Sequence, residues 1–432
     1  MRYGTRLGEV ITAFVCAVIG GLALATPVSR SWVRGTATLQ TELLAASLPR
    51  AAAIGCLVAV VIAVFTSTAE SLMAPWAATL CGMIVLLANH LFGRGFSETA
   101  PLTTLNYIDS LAGGLVLGGS VAAAAVRLSM ILAFILGALS SVIVGDLTMS
   151  SGADGDTARY APIAWFIIDS PSLWLLWPGT ALVIWCGLRF RSGRRYLTIS
   201  VELPIRPILA AVIGVSSPVL CAEWLMSKGH TTVEIVLVSG SAVLTALVVG
   251  GLLPGRDGVL IQLCAAISAI GGSIVLVPLS AWLVPVLIAS MAVGLWYGLL
   301  RPYPVAAMAG MVMLAIFAVS AAGPQSAVPG AAIVATVTLS LLTGYSFGAA
   351  LPGQSSSIML ALATFFVPGV VIAMRGRVFN ADPDLILNNS TPGIAAVLIT
   401  VGSACGLLLL GRRRIVIADP VPMPSSMVSG GV

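Results

Sequence analysis

A chain of 432 residues that is 58% hydrophobic and 9% charged, with a mean hydropathy of +1.06, lacks the polar surface to fold in water, where domains run at about 25% charged residues. Lipid is the solvent expected for most of its outside, and an all-α, polytopic membrane protein is the expected fold class. The net charge of +5 is modest, and no stretch interleaves aromatic with basic residues, which excludes nucleic acid as the expected partner.

A crossing needs about 20 mostly apolar residues. That ruler finds about fourteen spans, near 10–27, 48–66, 72–92, 109–127, 128–146, 170–188, 205–224, 232–252, 258–276, 280–300, 302–322, 329–350, 355–374 and 392–411. The first, "VITAFVCAVIGGLALATPV", follows Arg2 and Arg6 and is expected to stay as an anchor instead of being cleaved. Adjacent spans abut at Arg127, Arg301 and Pro352-Gly353. Each of those apolar runs is too long for one crossing, so a tight helical hairpin is expected at each.

Starting from a cytoplasmic N-terminus and alternating sides, thirteen of the 21 Lys and Arg fall on the N-terminal side and eight on the other. The positive-inside rule then places both termini in the cytoplasm. "CGLRFRSGRR" closes the sixth span with Arg189, Arg191, Arg194 and Arg195, and Arg412, Arg413 and Arg414 follow the last span. Both groups read as cytoplasmic anchors, held in addition by anionic headgroups at about 1 kcal/mol per basic side chain. The basic residues are all Arg except Lys228, a skew expected of a high-GC bacterium. The location expected is therefore a bacterial plasma membrane. The organisation expected is an N-terminal bundle of about six spans (1–188), a basic loop (189–204), a bundle of about eight spans (205–411) and a cytoplasmic tail (412–432).

Two span ends look alike, "ALVIWCGLRFRSGRR" at the sixth and "VGSACGLLLLGRRR" at the fourteenth, and each follows a long outer loop. That fits two six-helix units with a pair inserted between them, and internal repeats underlie many secondary transporters. Fourteen spans in a six-two-six order resemble the larger drug-exporter branch of the major facilitator superfamily. The octet "GLLPGRDG", Gly251 to Gly258, is similar to that superfamily's cytoplasmic loop signature, with Gly255 where an acid usually stands. The octet follows the eighth span, whereas the repeat would place it after the second or tenth. The resemblance implies a transporter. Without it, Pro254-Gly255 and Arg256 make a tight turn with a basic anchor.

Ionisable groups at mid-depth are costly and normally functional, and few occur here. Gln262 is the strongly polar residue within the ninth span. Asn89 and His90 end the third, Asp109 begins the fourth, Asp169 begins the sixth, Glu223 ends the seventh, and Arg50 begins the second. Converging ends would line an outward vestibule; separate ones would sit hydrated among the headgroups. Small residues in "LAGGLVLGGSV" and "LLTGYSFGAALPG" let helices approach closely, and Pro368-Gly369 breaks the thirteenth span as a hinge or an incidental kink. The candidate substrate pathway is thus Asp109, Asp169, Glu223, Gln262, Pro368 and Gly369.

The seven cysteines lie in apolar runs without the CxxC spacing of a metal or redox site. No cofactor is implied, and no Walker motif is present. The leading expectation is a transporter or flippase moving a small amphiphilic or lipid-linked solute, with membrane lipids as its other partners. The alternatives are an enzyme of lipid-linked glycans, gripping a pyrophosphate with outer arginines such as Arg50, and a non-catalytic membrane subunit.

Overall fold

The computed structural model describes residues 2–26, 38–96, 101–151, 171–191, 205–228, 232–274, 282–320, 329–367, 369, 371 and 391–417. Among these, every regular element longer than a turn is helical. The fourteen helices are α1 (Arg2–Ala25), α2 (Thr38–Thr68), α3 (Met73–Phe96), α4 (Leu102–Ala124), α5 (Leu128–Ser151), α6 (Leu173–Arg189), α7 (Ile205–Lys228), α8 (Thr232–Leu252), α9 (Asp257–Ile274), α10 (Leu283–Leu300), α11 (Pro304–Ser320), α12 (Pro329–Ala349), α13 (Ser355–Phe366) and α14 (Thr391–Ile417). Eleven are long and apolar enough to cross a bilayer, and α6, α11 and α13 are shorter apolar helices. The chain is an all-helical, polytopic membrane protein.

The three abutting junctions are turns. Ala125–Arg127 separates α4 from α5, Arg301–Tyr303 separates α10 from α11, and Leu351–Gln354 separates α12 from α13. At the second, the Tyr345 hydroxyl donates to the Arg301 carbonyl at 2.7 Å and accepts from the Tyr303 N–H at 3.3 Å, so α12 holds the turn's backbone in place. Gly255, in the turn between α8 and α9, has φ +56°, which a residue with a Cβ adopts at a cost.

Helix pairing shows a repeat. In the first six helices α1 packs on α5, α2 on α4, α3 on α6, and α4 on both α1 and α3. In the last six, α9 packs on α13, α10 on α12, α11 on α14, and α12 on both α9 and α11. The second set is the first shifted by eight helices. The α7–α8 pair stands between them, with α7 against α2 and α13, and α8 against α9 and α14. A six-two-six arrangement results.

Small residues set the tightest pairs. Gly55 and Ala59 of α2 lie against the backbone at Gly114 and Gly118 of α4. Gly294 and Gly298 of α10 meet α12 at Gly344, Tyr345 and Gly348 in the same parallel, four-residue register. Without Cβ atoms the backbones close in, and dispersion and weak Cα–H contacts replace the hydrophobic drive that lipid does not supply.

The two bundles meet chiefly through α13, which touches α1, α2, α4 and α5, and through α10 against α5. We call the side on which α1 begins the near face and the opposite side the far face. Ser67 and Ser355 share a hydrogen bond of 2.6 Å between α2 and α13 toward the near face. Lipid-facing helices declare themselves by exposure: 28% of the α8 span is buried, against 83% of α9 and 78% of α4.

Candidate functional site

α7 and α8 do not seal against the second bundle. Between them and α9, α13 and α14 lies an apolar groove. Its walls come from Pro218 on α7, Thr245 and Val249 on α8, Ala265 on α9, Thr364 on α13 and Ile399 on α14. The cause is local sequence. Gly214, Ala242, Ala246, Ala265, Ala269 and Ala363 face inward with side chains too short to fill the gap. The polar groups on the wall are hydroxyls of Thr245, Ser268 and Thr364, and Thr364 is already bonded to the Ala361 carbonyl at 2.7 Å. A groove of this chemistry takes up hydrocarbon and offers little to a sugar or an ion.

The candidate pathway residues divide around this groove. Gly369 lies on its wall; Pro368 and Asp169 fall outside the described residues. Gln262 is fully buried one position from the wall residue Ile261, and it turns toward α8 and α14 instead. Its Nε2 donates to the Ala246 carbonyl at 2.9 Å, its Oε1 has no hydrogen-bond partner, and a Cβ at Gly406 would lie 2.9 Å from that oxygen. Gln262 thus clips α9 to α8 beside the groove.

Glu223 and Arg50 do converge. Arg50 Nε and Nη2 donate to the two Glu223 carboxylate oxygens at 2.6 and 3.1 Å, a bidentate pair joining α7 to α2. The Arg50 and Glu223 side chains are 61% and 33% exposed, so the pair sits at the far-face rim.

Asp109 is not at a hydrated helix end. α4 begins at Leu102, seven residues before it, and Asp109 is 2% exposed. Asn89 Nδ2 donates to Asp109 Oδ1 at 2.7 Å and to the Leu105 carbonyl at 3.1 Å, and His90 Nε2 lies 3.1 Å from Asp109 Oδ2. These three side chains ties α3 to α4. The sequence groups them correctly and places them too shallow, because a hydropathy window starts a span after its polar residues.

Glu9 escapes the sequence reading for the same reason. A span taken from residue 10 leaves it outside, whereas α1 begins at Arg2 and buries it to 1% exposure. Its carboxylate pairs with Arg127, at the α4–α5 turn, and with Arg189 Nε at 3.1 Å, at the end of α6. The signal was a lone acid one turn after Arg6, facing two basic residues at near-face helix ends. Arg189 is therefore more than an anchor. Its guanidinium also lies 5.8 Å over the Trp185 ring. Arg191 is exposed in the turn after α6; Arg194 and Arg195 lie outside the described residues, as do the side chains of Arg412, Arg413 and Arg414 at the end of α14.

Within the octet that closes the α8–α9 turn, Asp257 Oδ1 accepts from the Gly353 N–H at 3.3 Å, which links that turn to the one before α13. All seven cysteines are free, four of them buried. Among the described residues no group of His, Cys, Asp and Glu is placed to hold a metal ion.

No family model matches the sequence, and no curated protein does. Solved structures do. A double-tryptophan variant of XylE superposes with a TM-score of 0.50 at 13% identity, over 94% of this chain and 93% of that one. The fold is that of XylE. The xylose transporter XylE from E. coli in a partially occluded inward-open conformation gives 0.46 at 11% identity, over 94% of this chain and 96% of that chain. XylE described as a proton:xylose symporter of the major facilitator superfamily, bound to 6-bromo-6-deoxy-D-glucose, gives 0.44 at 10%, over 94% and 95%. At these identities the likeness to XylE is one of fold.

Proposed function

We propose that this chain is a transporter of a bacterial plasma membrane that moves a small amphiphilic or lipid-linked solute by alternating access, with both termini in the cytoplasm. The observation that carries the reading is the apolar groove between the α7–α8 hairpin and the second bundle. Two repeated bundles joined mainly along one helix, α13, are the architecture in which one half rocks against the other around a shared seam. Three of the groove's walls, α9, α13 and α14, belong to the second bundle, and α13 is also the seam. Rocking at α13 therefore changes the shape of the groove, which is what couples cargo to movement.

XylE carries xylose by name, and a sugar requires several fixed donors and acceptors. This groove presents three hydroxyls among small alkyl side chains, so a hydrocarbon-bearing cargo suits it and a sugar alone does not. The enzyme reading depends on outer arginines free to grip a pyrophosphate; Arg50 is committed to Glu223, while Arg30, Arg34, Arg375 and Arg377 lie outside the described residues.

Purified protein in liposomes should speed the transbilayer movement of a fluorescent phospholipid or lipid-linked sugar, and Ala265→Trp or Thr364→Trp should slow it by filling the groove. A folded protein that moves no amphiphile would end the proposal. Release of a new glycosidic product would replace it with the enzyme.

A further inference from the structure

A second groove lies in the first bundle, between α3 and α6. Trp76 and Val183, 3% and 1% exposed, form its floor, while Ile84, Ile184 and Leu188 stand exposed along its edges. Trp76 is fixed by stacking on Phe190, with ring centroids 6.3 Å apart and planes 14° off parallel. Gly187 keeps the mouth open, since a Cβ there would come no nearer than 3.8 Å to Trp76 Cβ.

The groove's length and its charged end identify what fills it. It begins in the first turn of α3, at Met73, and reaches Ile84; at 1.5 Å per residue this is about 16 Å, half of the roughly 30 Å hydrocarbon thickness. That is the depth of one leaflet. At the near-face end the chain passes from Leu188 to Arg189 and Arg191. Glu9 is shared between Arg127 and Arg189, so two arginines face one carboxylate. Arg191, exposed in the turn three residues past the wall residue Leu188, adds a further positive charge at this end.

We infer that the α3–α6 groove binds one anionic phospholipid of the near leaflet, with an acyl chain on Trp76 and Val183 and its phosphate at Arg191. The apolar wall alone would accept any lipid. The arginine at its end selects the negative one. This site is separate from the cargo groove and does not depend on transport.

The test is native mass spectrometry of the detergent-purified full chain with added palmitoyl-oleoyl phosphatidylglycerol or phosphatidylcholine. One phosphatidylglycerol should be retained in preference to phosphatidylcholine. Arg191→Glu should weaken its retention about tenfold while leaving phosphatidylcholine unchanged. Gly187→Leu should weaken both lipids, because it fills the mouth without touching charge. Glycerophosphoglycerol, the same headgroup without chains, should not displace the lipid. Equal retention of the two lipids by the unaltered protein overturns the inference whether or not the variants fold, and so does unaltered phosphatidylglycerol binding by folded Arg191→Glu. A protein that retains the lipid but moves no amphiphile would remove the transporter reading and leave this one in place.

Discussion

The two bundles share one pairing pattern and differ in how α1 and its counterpart α9 use their small faces. α1 gives its close approaches to its own bundle: Phe14 and Ala17 meet Gly137, Gly21 meets Ser141, and Ala25 meets Gly145, all on α5. α9 gives its closest approach to the hairpin, where Gly258 meets the backbone of Gly250 on α8, and it sends Gln262 to Ala246 on the same helix. The pairing of α9 with α13 is correspondingly looser, and the groove opens there. Two helices placed between two repeats have drawn one bundle's central helix toward themselves, and a cavity marks the place it left.

The sharpest way to break this comparison is at the feature the bundles share. Gly114→Leu on α4 and Gly344→Leu on α12 both drive a side chain into facing backbone, Gly55 in one case and Met291 in the other. Backbone does not yield as side chains do, so neither variant should give a monodisperse peak in detergent size-exclusion chromatography. Gly271→Leu on α9 places its Cβ 3.6 Å from a Leu339 methyl, an ordinary contact, and should behave as the parent protein. If all three variants behave alike, close glycine packing is not what holds the bundles together.

The second effect concerns the polar tie at the near end of the first bundle. Glu9 is 1% exposed, while Arg127 and Arg189 are 42% and 40% exposed at their side chains. Removing both arginines leaves a buried carboxylate unpaired, at a cost of about 3–5 kcal/mol; removing the carboxylate leaves two arginines that water can reach. Arg127→Ala with Arg189→Ala should therefore lower the unfolding midpoint more than Glu9→Gln does. The reverse order would show that the carboxylate is hydrated in the bilayer-embedded protein.

These two effects also separate what the sequence reveals from what it hides. Junctions at Arg127, Arg301 and Pro352-Gly353 are legible because a charge or a turn residue interrupts an apolar run, and such interruptions have a fixed cost in lipid. The inserted pair is legible from similar span ends at Arg189 and Arg412, though the octet at Gly251–Gly258 points elsewhere. Which helices pair is not legible, because Gly114 facing Gly55 and Gly118 facing Ala59 are non-local, and every span carries small residues somewhere. Glu9 and Asp109 are hidden for a different reason. Each lies in the first turns of a helix that begins earlier than its hydrophobic stretch, so partners from other helices, which hydropathy does not see, decide its depth. The groove beside α9 is made of what is missing, namely side-chain volume at Gly214, Ala246, Ala265 and Ala363, and only the assembled bundle shows the gap.

The smallest effect tests the tie between the hairpin and the second bundle. Gln262 gains one hydrogen bond, 2.9 Å to the Ala246 carbonyl, and leaves Oε1 buried without a hydrogen-bond partner. A buried unpartnered oxygen costs about what a net hydrogen bond returns. Gln262→Leu should therefore change stability by less than about 1 kcal/mol in a detergent unfolding titration, and Gln262→Glu should cost several times more by placing a charge in the same apolar site. The neutral amide then differs in kind from the Glu9 tie, whose buried carboxylate cannot lose its arginines without penalty. A large loss with Gln262→Leu would mean that the Ala246 bond anchors the hairpin, and that the groove beside it has a polar hinge where small-residue packing alone was expected to form the wall.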